Sequence, residues 1–342
     1  MTDQIGTGPL RHQLGRRRFM AALAGGLLAR PLAVAAQQTG KVWRIAYLSP
    51  TVRNTEESTT LRAFMEAMSN LGYVENRNWI FEQRYADDHL DRLPALASEL
   101  VNAHTDILLT FATPASRAAK AATSTIPIVL VAVGDPLGVG LVKSLNRPSE
   151  NVTGLALNNV ETAEKRLQLL KEAVPKLSRV ALLANQKNPL FNALHITQTK
   201  KVAERLDVAV EVVEVADPER LGDAFSAMIA RRAGGVIVLP DPGFIAHRDR
   251  IAQLALQNRL PSAAQDKPIA VAGCLLTFGP DLNELYRQAA RFVDKIIHGV
   301  KPGDIPVEQP SKFEFVINLK TAKALGLTLP PSLLARADEV IE

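Results

Sequence analysis

The chain has 342 residues, 47% of them hydrophobic and 22% charged, which excludes a largely disordered state and leaves room for about two domains. Only 5% are aromatic and Cys274 is the one cysteine, so no disulfide or cysteine-built metal centre can form within the chain; the six histidines lack metal-ligand spacing, and neither metal nor cofactor is expected. Of the formal +5, +4 lies in the first 35 residues, where five arginines face Asp3 alone, so the remainder lacks the basic excess that nucleic-acid binding needs.

Residues 16–20 read Arg-Arg-Arg-Phe-Met, an apolar run of eleven residues extends from Phe19 to Ala29, and small residues follow as far as Ala36. Eleven residues are too few to cross a hydrocarbon core, which takes about 20. The order basic, apolar, small is that of a secretory signal peptide over residues 1–36, cleaved after Ala35 or Ala36. Arg16-Arg17 with Phe19 resembles a twin-arginine export signal; an arginine-rich general secretory signal is the alternative. The mature chain is expected in the periplasm, not embedded in the membrane.

Beyond it, Val42–Leu48 is a β-rich run broken by Ser49-Pro50. A helix follows, with apolar residues at Leu61, Phe64, Met65, Met68 and Leu71 and Gly72 as its stop. Strands at 79–85, 106–110 and 126–131 alternate with helices at 90–101 and 115–122. After the polar stretch 146–151, strands at 152–157, 180–184, 208–215 and 235–239 alternate with helices at 161–174, 190–206, 218–230 and 245–258. Such alternation predicts α/β architecture, two Rossmann-like lobes with parallel sheets flanked by helices. The tail is less regular: a strand at 273–277, a helix at 282–297, a proline-bounded segment at 305–309, a strand at 313–317 and a helix at 320–325. Proline at both ends of 306–310 fits an extended crossing between lobes better than a central strand.

In open parallel sheets ligands bind at the carboxyl ends of strands, so the cleft between the lobes is the expected site. GxSxG, Walker A and HExxH are absent, and Lys143 stands where Gly134–Gly140 would need a third glycine for a dinucleotide fingerprint. The strand ends instead carry small polar groups. Thr113-Pro114-Ala115-Ser116 sets two hydroxyls and free backbone N–H groups at a helix start, where they can face an anion or simply cap the helix. Ser49, Asp135, Asn185 and Asp241 occupy other strand ends, either as ligand contacts or as turn residues. Asp135 and Asp241 suit a ligand ammonium and the Thr113 turn an anion, a pairing that fits a zwitterion. Phe278 is either a wall for an apolar ligand body or a core residue.

The stretches IAYLSP (45–50), YADDHLDRLPALASELV (85–101), TFATPASRAAKAATSTIPIVLVAVGDPLGVGLVKSL (110–145), NVTGL (151–155) and PVEQPSKFEFVINLKTAKALGL (306–327) resemble the periplasmic substrate-binding proteins of bacterial ABC importers. The resemblance is narrower with the branch that binds tryptophan and other aromatic amino acids. It implies the type I periplasmic-binding fold, two lobes joined by three crossings near 157–160, 268–276 and 307–312. Lobe 1 would then comprise 37–157 plus 277–308 and lobe 2 158–276 plus 309–342. It also implies that Thr113 and Ser116 hold a ligand carboxylate while Asn185 and Asp241 serve from the second lobe. Asp135 fits poorly beside a carboxylate, and caps its own turn, meets an amine, or signals a ligand that is no amino acid. The expected partners are a small-molecule ligand and an inner-membrane ABC permease, with the receptor a monomer and not an enzyme. A sensor subunit feeding a membrane signalling protein, or an exported enzyme on the same fold, are the alternatives.

Overall fold

The structure of the protein, a computed structural model, describes residues 41–342 except 54, 149, 158 and 159. The signal peptide expected over 1–36 lies outside the described residues.

From Val42 onward the chain builds two sheets in turn. In the first, β1 (Trp43–Ser49), β2 (Trp79–Tyr85), β3 (Ile107–Phe111), β4 (Ile128–Val133) and β5 (Val152–Ala156) run parallel in the order β2-β1-β3-β4-β5. Helices α1 (Thr55–Asn70), α2 (Leu93–Asn102) and α3 (Ala112–Ala122) connect them. The inner strands read ILLTF and IVLVAV and are buried throughout, as a parallel sheet covered on both faces requires.

Helix α4 (Val160–Ala173) opens the second half. It is followed by β6 (Arg179–Asn185), α5 (Pro189–Arg205), β7 (Ala209–Val215), α6 (Leu221–Ala230) and β8 (Val236–Val238). Next come α7 (Pro242–Ala246), α8 (Arg248–Gln257), β9 (Ser262–Ala264), α9 (Lys267–Val271) and β10 (Leu276–Pro280). The chain ends with α10 (Leu282–Ile297), β11 (Phe313–Asn318), α11 (Leu319–Ala324), α12 (Pro331–Leu334) and β12 (Glu339–Ile341). The second sheet has the order β12-β11-β10-β9-β8-β6-β7, parallel except where β11 meets β10.

Helix α10 belongs to the first lobe. Leu285, Tyr286, Ala289, Phe292, Val293 and Ile296 recur at three- and four-residue spacing, and that stripe is buried in the same cluster as Ile45, Phe64 and Leu109. Asp281 starts it, its carboxylate accepting from the Glu284 N–H at 3.1 Å.

The second crossing therefore lies at Asp281, not over 268–276. Pro268 sits in the first turn of α9, where its missing N–H costs nothing, and Leu276–Pro280 have strand partners on both sides. Residues 277–280, placed with lobe 1 from the sequence, pair in the second sheet. The helix expected over 245–258 is two, because Asp241 and Pro242 start α7 early and the backbone leaves helical angles at His247.

Residues 158 and 159 of the first crossing lie outside the described residues. At the third, Glu308 pairs with Leu155 beside β5 before the chain enters β11. The Asp281 N–H donates to the Lys312 carbonyl at 3.2 Å and Lys312 Nζ to Asp281 Oδ2 at 3.0 Å, tying the second and third crossings together.

Candidate functional site

The carboxyl ends of β3, β4, β6, β8 and β9 converge on one cleft. Its inner chamber takes Phe111, Ala112, Thr113, Pro114, Ala132, Gly134 and Leu157 from the first half, with Leu282 from the start of α10. Asn188, Pro240, Asp241, Pro242, Ile245, Gln265 and Asp266 come from the second. Pro114, Asn188, Asp241 and Pro242 are shared with a wider outer chamber, lined further by Asp88, Asn185, Lys187 and His247.

The wall around β3 and β4 carries strained backbone. Ala112 (φ 62°) and Ala132 (φ 56°) both take left-handed angles that cost a non-glycine residue on the order of 1 kcal/mol. At Ala112 this turns the strand abruptly into α3, so the first N–H groups of the helix, beside Thr113, open onto the chamber.

The opposite wall carries carboxylates. Asp241, at 6% exposure, accepts from Asn185 Nδ2 (2.9 Å) and the Gly243 N–H (2.9 Å) on Oδ1 and from Asn188 Nδ2 (3.2 Å) on Oδ2. Burial pushes its pKa up against these bonds, which favour the anion. Asp266, also buried, is pushed up to about 6 by burial, with Gln265 and the Arg166 charge pulling the other way. At the mouth, burial raises Asp88, His247 lowers it and Asp241 raises it.

The remaining predicted site residues take other places. Ser49 Oγ bonds Thr51 Oγ1 at 2.8 Å and lines neither chamber. Ser116 Oγ donates to the Ala112 carbonyl at 2.9 Å and bonds Thr110 Oγ1, bracing the strand-to-helix turn from beneath. Asp135 takes φ 41° and accepts the Gly138 N–H at 2.9 Å, capping its own turn. Phe278 stacks on Phe313 with ring centroids 5.9 Å apart and packs on the second sheet's core. Thr113, Asn185 and Asp241 are the ones that face the cleft.

Asn188, Gln265 and Asp266 escaped the sequence reading. A shared signal was present: Thr113-Pro114, Asp241-Pro242 and Asp266-Lys267-Pro268 each set a polar residue before a proline at a helix start. Chemically the chamber offers carboxylates on one wall, backbone N–H donors on the other, and Phe111, Leu157, Ile245 and Leu282 as apolar filling. That arrangement can hold a small molecule with a cationic end, an anionic end and an apolar body.

Residues 52–341 match the model of the family described as ABC transporter substrate binding protein. A tyrosine-binding protein of Clostridioides difficile is 26% identical over 281 residues, covering 82% of this chain and 80% of its own. Among solved structures, a conserved domain protein from Vibrio cholerae superposes with a TM-score of 0.83 at 26% identity over 88% of this chain and 100% of its own. An ABC domain from Streptococcus pneumonia in complex with L-Trp reaches 0.82 at 23% identity, with the same coverage.

Proposed function

Because the chain belongs to the family of ABC transporter substrate-binding proteins, we propose that it is an extracytoplasmic receptor that closes its two lobes on an amino acid, preferably an aromatic one, and delivers it to an inner-membrane permease. The observation that carries this is the inner chamber. Asp241 and Asp266 lie across it from the N–H groups that open α3, and apolar side chains fill the space between. The ligand ammonium meets the two carboxylates, its carboxylate meets the Ala112–Thr113 turn, and its side chain lies among Phe111, Leu157, Ile245 and Leu282. The ligands named for the tyrosine-binding relative and for the L-Trp complex support an aromatic side chain.

Binding and release need no covalent step, so the chain works as a receptor without catalysis. Because both lobes line the chamber, a ligand bound there favours the closed arrangement, the form a permease would read. Export by the residues 1–36 signal to the periplasm fits this role. No helix among the described residues is long and apolar enough to cross a membrane.

A thermal-shift screen tests the proposal, using protein purified through an unfolding step that strips carried-over ligand. Tyrosine, tryptophan or phenylalanine at a hundred times its dissociation constant is expected to stabilise the fold by about 2.7 kcal/mol, a rise of a few degrees. A shift with sugars and none with any amino acid would contradict it.

A further inference from the structure

Arg166 on α4 is fully buried, yet it is not among the residues that line the chamber. A guanidinium taken out of water needs partners for its donors; those of Nη1 and Nη2 are spread over α4, α5, β10 and the turn after β9, while Nε finds none among the described residues. Nη1 points to Thr162 Oγ1 (3.2 Å), Gln265 Oε1 (3.4 Å) and the Phe278 carbonyl (3.3 Å), while Nη2 meets His195 Nδ1 at 3.3 Å. Since the guanidinium only donates, His195 Nδ1 accepts and the ring proton sits on Nε2.

Gln265 is the link to the cavity. Its Oε1 faces Arg166 and its Nε2 donates to Asp266 Oδ1 at 3.4 Å. With a pure donor on one side and a carboxylate on the other, the amide has one satisfying orientation. A separate feature fixes the same residue. A Cβ at Gly279 would come within 2.4 Å of Gln265 Cγ and 2.6 Å of the Gln265 carbonyl oxygen, so β10 approaches this wall as closely as only glycine permits.

We propose that Arg166 is a positioning residue of the ligand site, holding the Gln265–Asp266 wall of the chamber against β10, the strand that leads into the crossing at Asp281. It rests on the amino-acid reading only for the ligand group that Asp266 meets. Through Arg166 the wall is fastened to α4, which follows the first crossing, and to β10, which precedes the second. Burial pushes the Asp266 pKa up; the Gln265 hydrogen bond that Arg166 orients opposes this, and the Arg166 charge adds to that opposition. Other charged groups around Asp266 are engaged elsewhere: Lys267 with Glu314 and Glu339, Asp241 with Asn185 and Asn188, and His195 is held neutral, its pKa driven down to about 3 by burial and Arg166.

The test compares the full wild-type chain with Arg166→Met, Arg166→Lys and Gly279→Ala. Asp266 ionisation is followed by carboxyl-carbon NMR, its signal assigned by loss in Asp266→Asn, and L-tyrosine binding by calorimetry from pH 5 to 9. In Arg166→Met the Asp266 titration is expected to move up by at least about one pH unit, with binding at pH 7 weakened about tenfold or more and its pH dependence displaced the same way. Arg166→Lys is expected to restore most of the titration but only part of the affinity. Gly279→Ala keeps the charge and displaces Gln265, so it too is expected to bind about tenfold more weakly, and it serves if Arg166→Met fails to fold. A folded Arg166→Met with wild-type titration and binding would overturn the proposal, as would Gly279→Ala with wild-type binding. If wild type binds no amino acid while Asp266 still moves in Arg166→Met, the amino-acid reading fails and the hold of Arg166 on Asp266 stands.

Discussion

Asp266 illustrates what a buried carboxylate costs a fold. Its pKa of about 6 lies above the 3.8 of an unperturbed aspartate, so its contribution to stability is full at low pH and is lost as pH rises through 6. Asp266→Asn is therefore expected to stabilise the ligand-free protein at pH 7.5 by about 1–3 kcal/mol, to change little at pH 4, and to weaken ligand binding. His195 acts in the opposite sense: its depressed pKa makes stability fall as pH drops below about 6.5. The comparison must therefore be between variant and wild type at each pH, by thermal denaturation. Asp241 faces the same chamber with Asn185 and Asn188 already pointing at it. Asp241→Asn is expected to weaken amino-acid binding about hundredfold by calorimetry, because those amide donors then meet a third amide and the ammonium loses its counter-charge. At this scale the sequence shows which residue types end the strands but not which way each side chain turns. Thr113 and Asp241 face the cleft. Ser116, two residues after Pro114, points back into its own helix, and Asp135 is spent on the Gly138 N–H.

Among elements, the seam between β4 and β5 carries the chamber's strained edge. Gly154 takes φ 129°, and a Cβ there would lie 2.3 Å from the Leu130 carbonyl, beside the register shift between Leu130 and Val133 that spans Ala132. Gly154→Ala is expected to cost at least about 2 kcal/mol in chemical denaturation, since the clash and the backbone angle both oppose it. The tie between crossings is testable as well. Burial alone would raise the Asp281 pKa, but the Lys312 ammonium and the Glu284 N–H outweigh it and hold it low. Its stabilising share is therefore present above the unfolded-state value and lost as pH falls below about 4, and Asp281→Ala is expected to cost about 1 kcal/mol at pH 7, most of it from the α10 cap. Long periodic elements such as α10 are legible because seven apolar residues mark one face. The strands β9 and β12, three residues each, and the five-residue α9 are not, since so short a run holds less than two periods of pattern. The crossing that the family resemblance implies near 268–276 lies instead at Asp281, because Leu276–Pro280 pair in the second sheet.

For the whole molecule, the alternation of strands and helices made two lobes readable, and the strand-end rule placed the cleft between them. What pattern could not supply is the contact between distant segments. Gln265 reaches the chamber because β9 lies between β8 and β10, and α10 returns to the first lobe across the Asp281 crossing. The chamber thus exists only where both halves meet, and on the proposed reading a zwitterion held by carboxylates on one wall and N–H donors on the other is expected to bind fully only to the closed form. Calorimetry with L-tyrosine and with 3-(4-hydroxyphenyl)propionate, the same molecule without its amine, tests this most directly. Tyrosine is expected to bind and the amine-free analogue to bind at least about a hundredfold more weakly, since Asp241 and Asp266 would face the analogue without a ligand cation. Equal binding of the two, or binding of the analogue alone, would contradict the assignment of the carboxylate wall to a ligand ammonium.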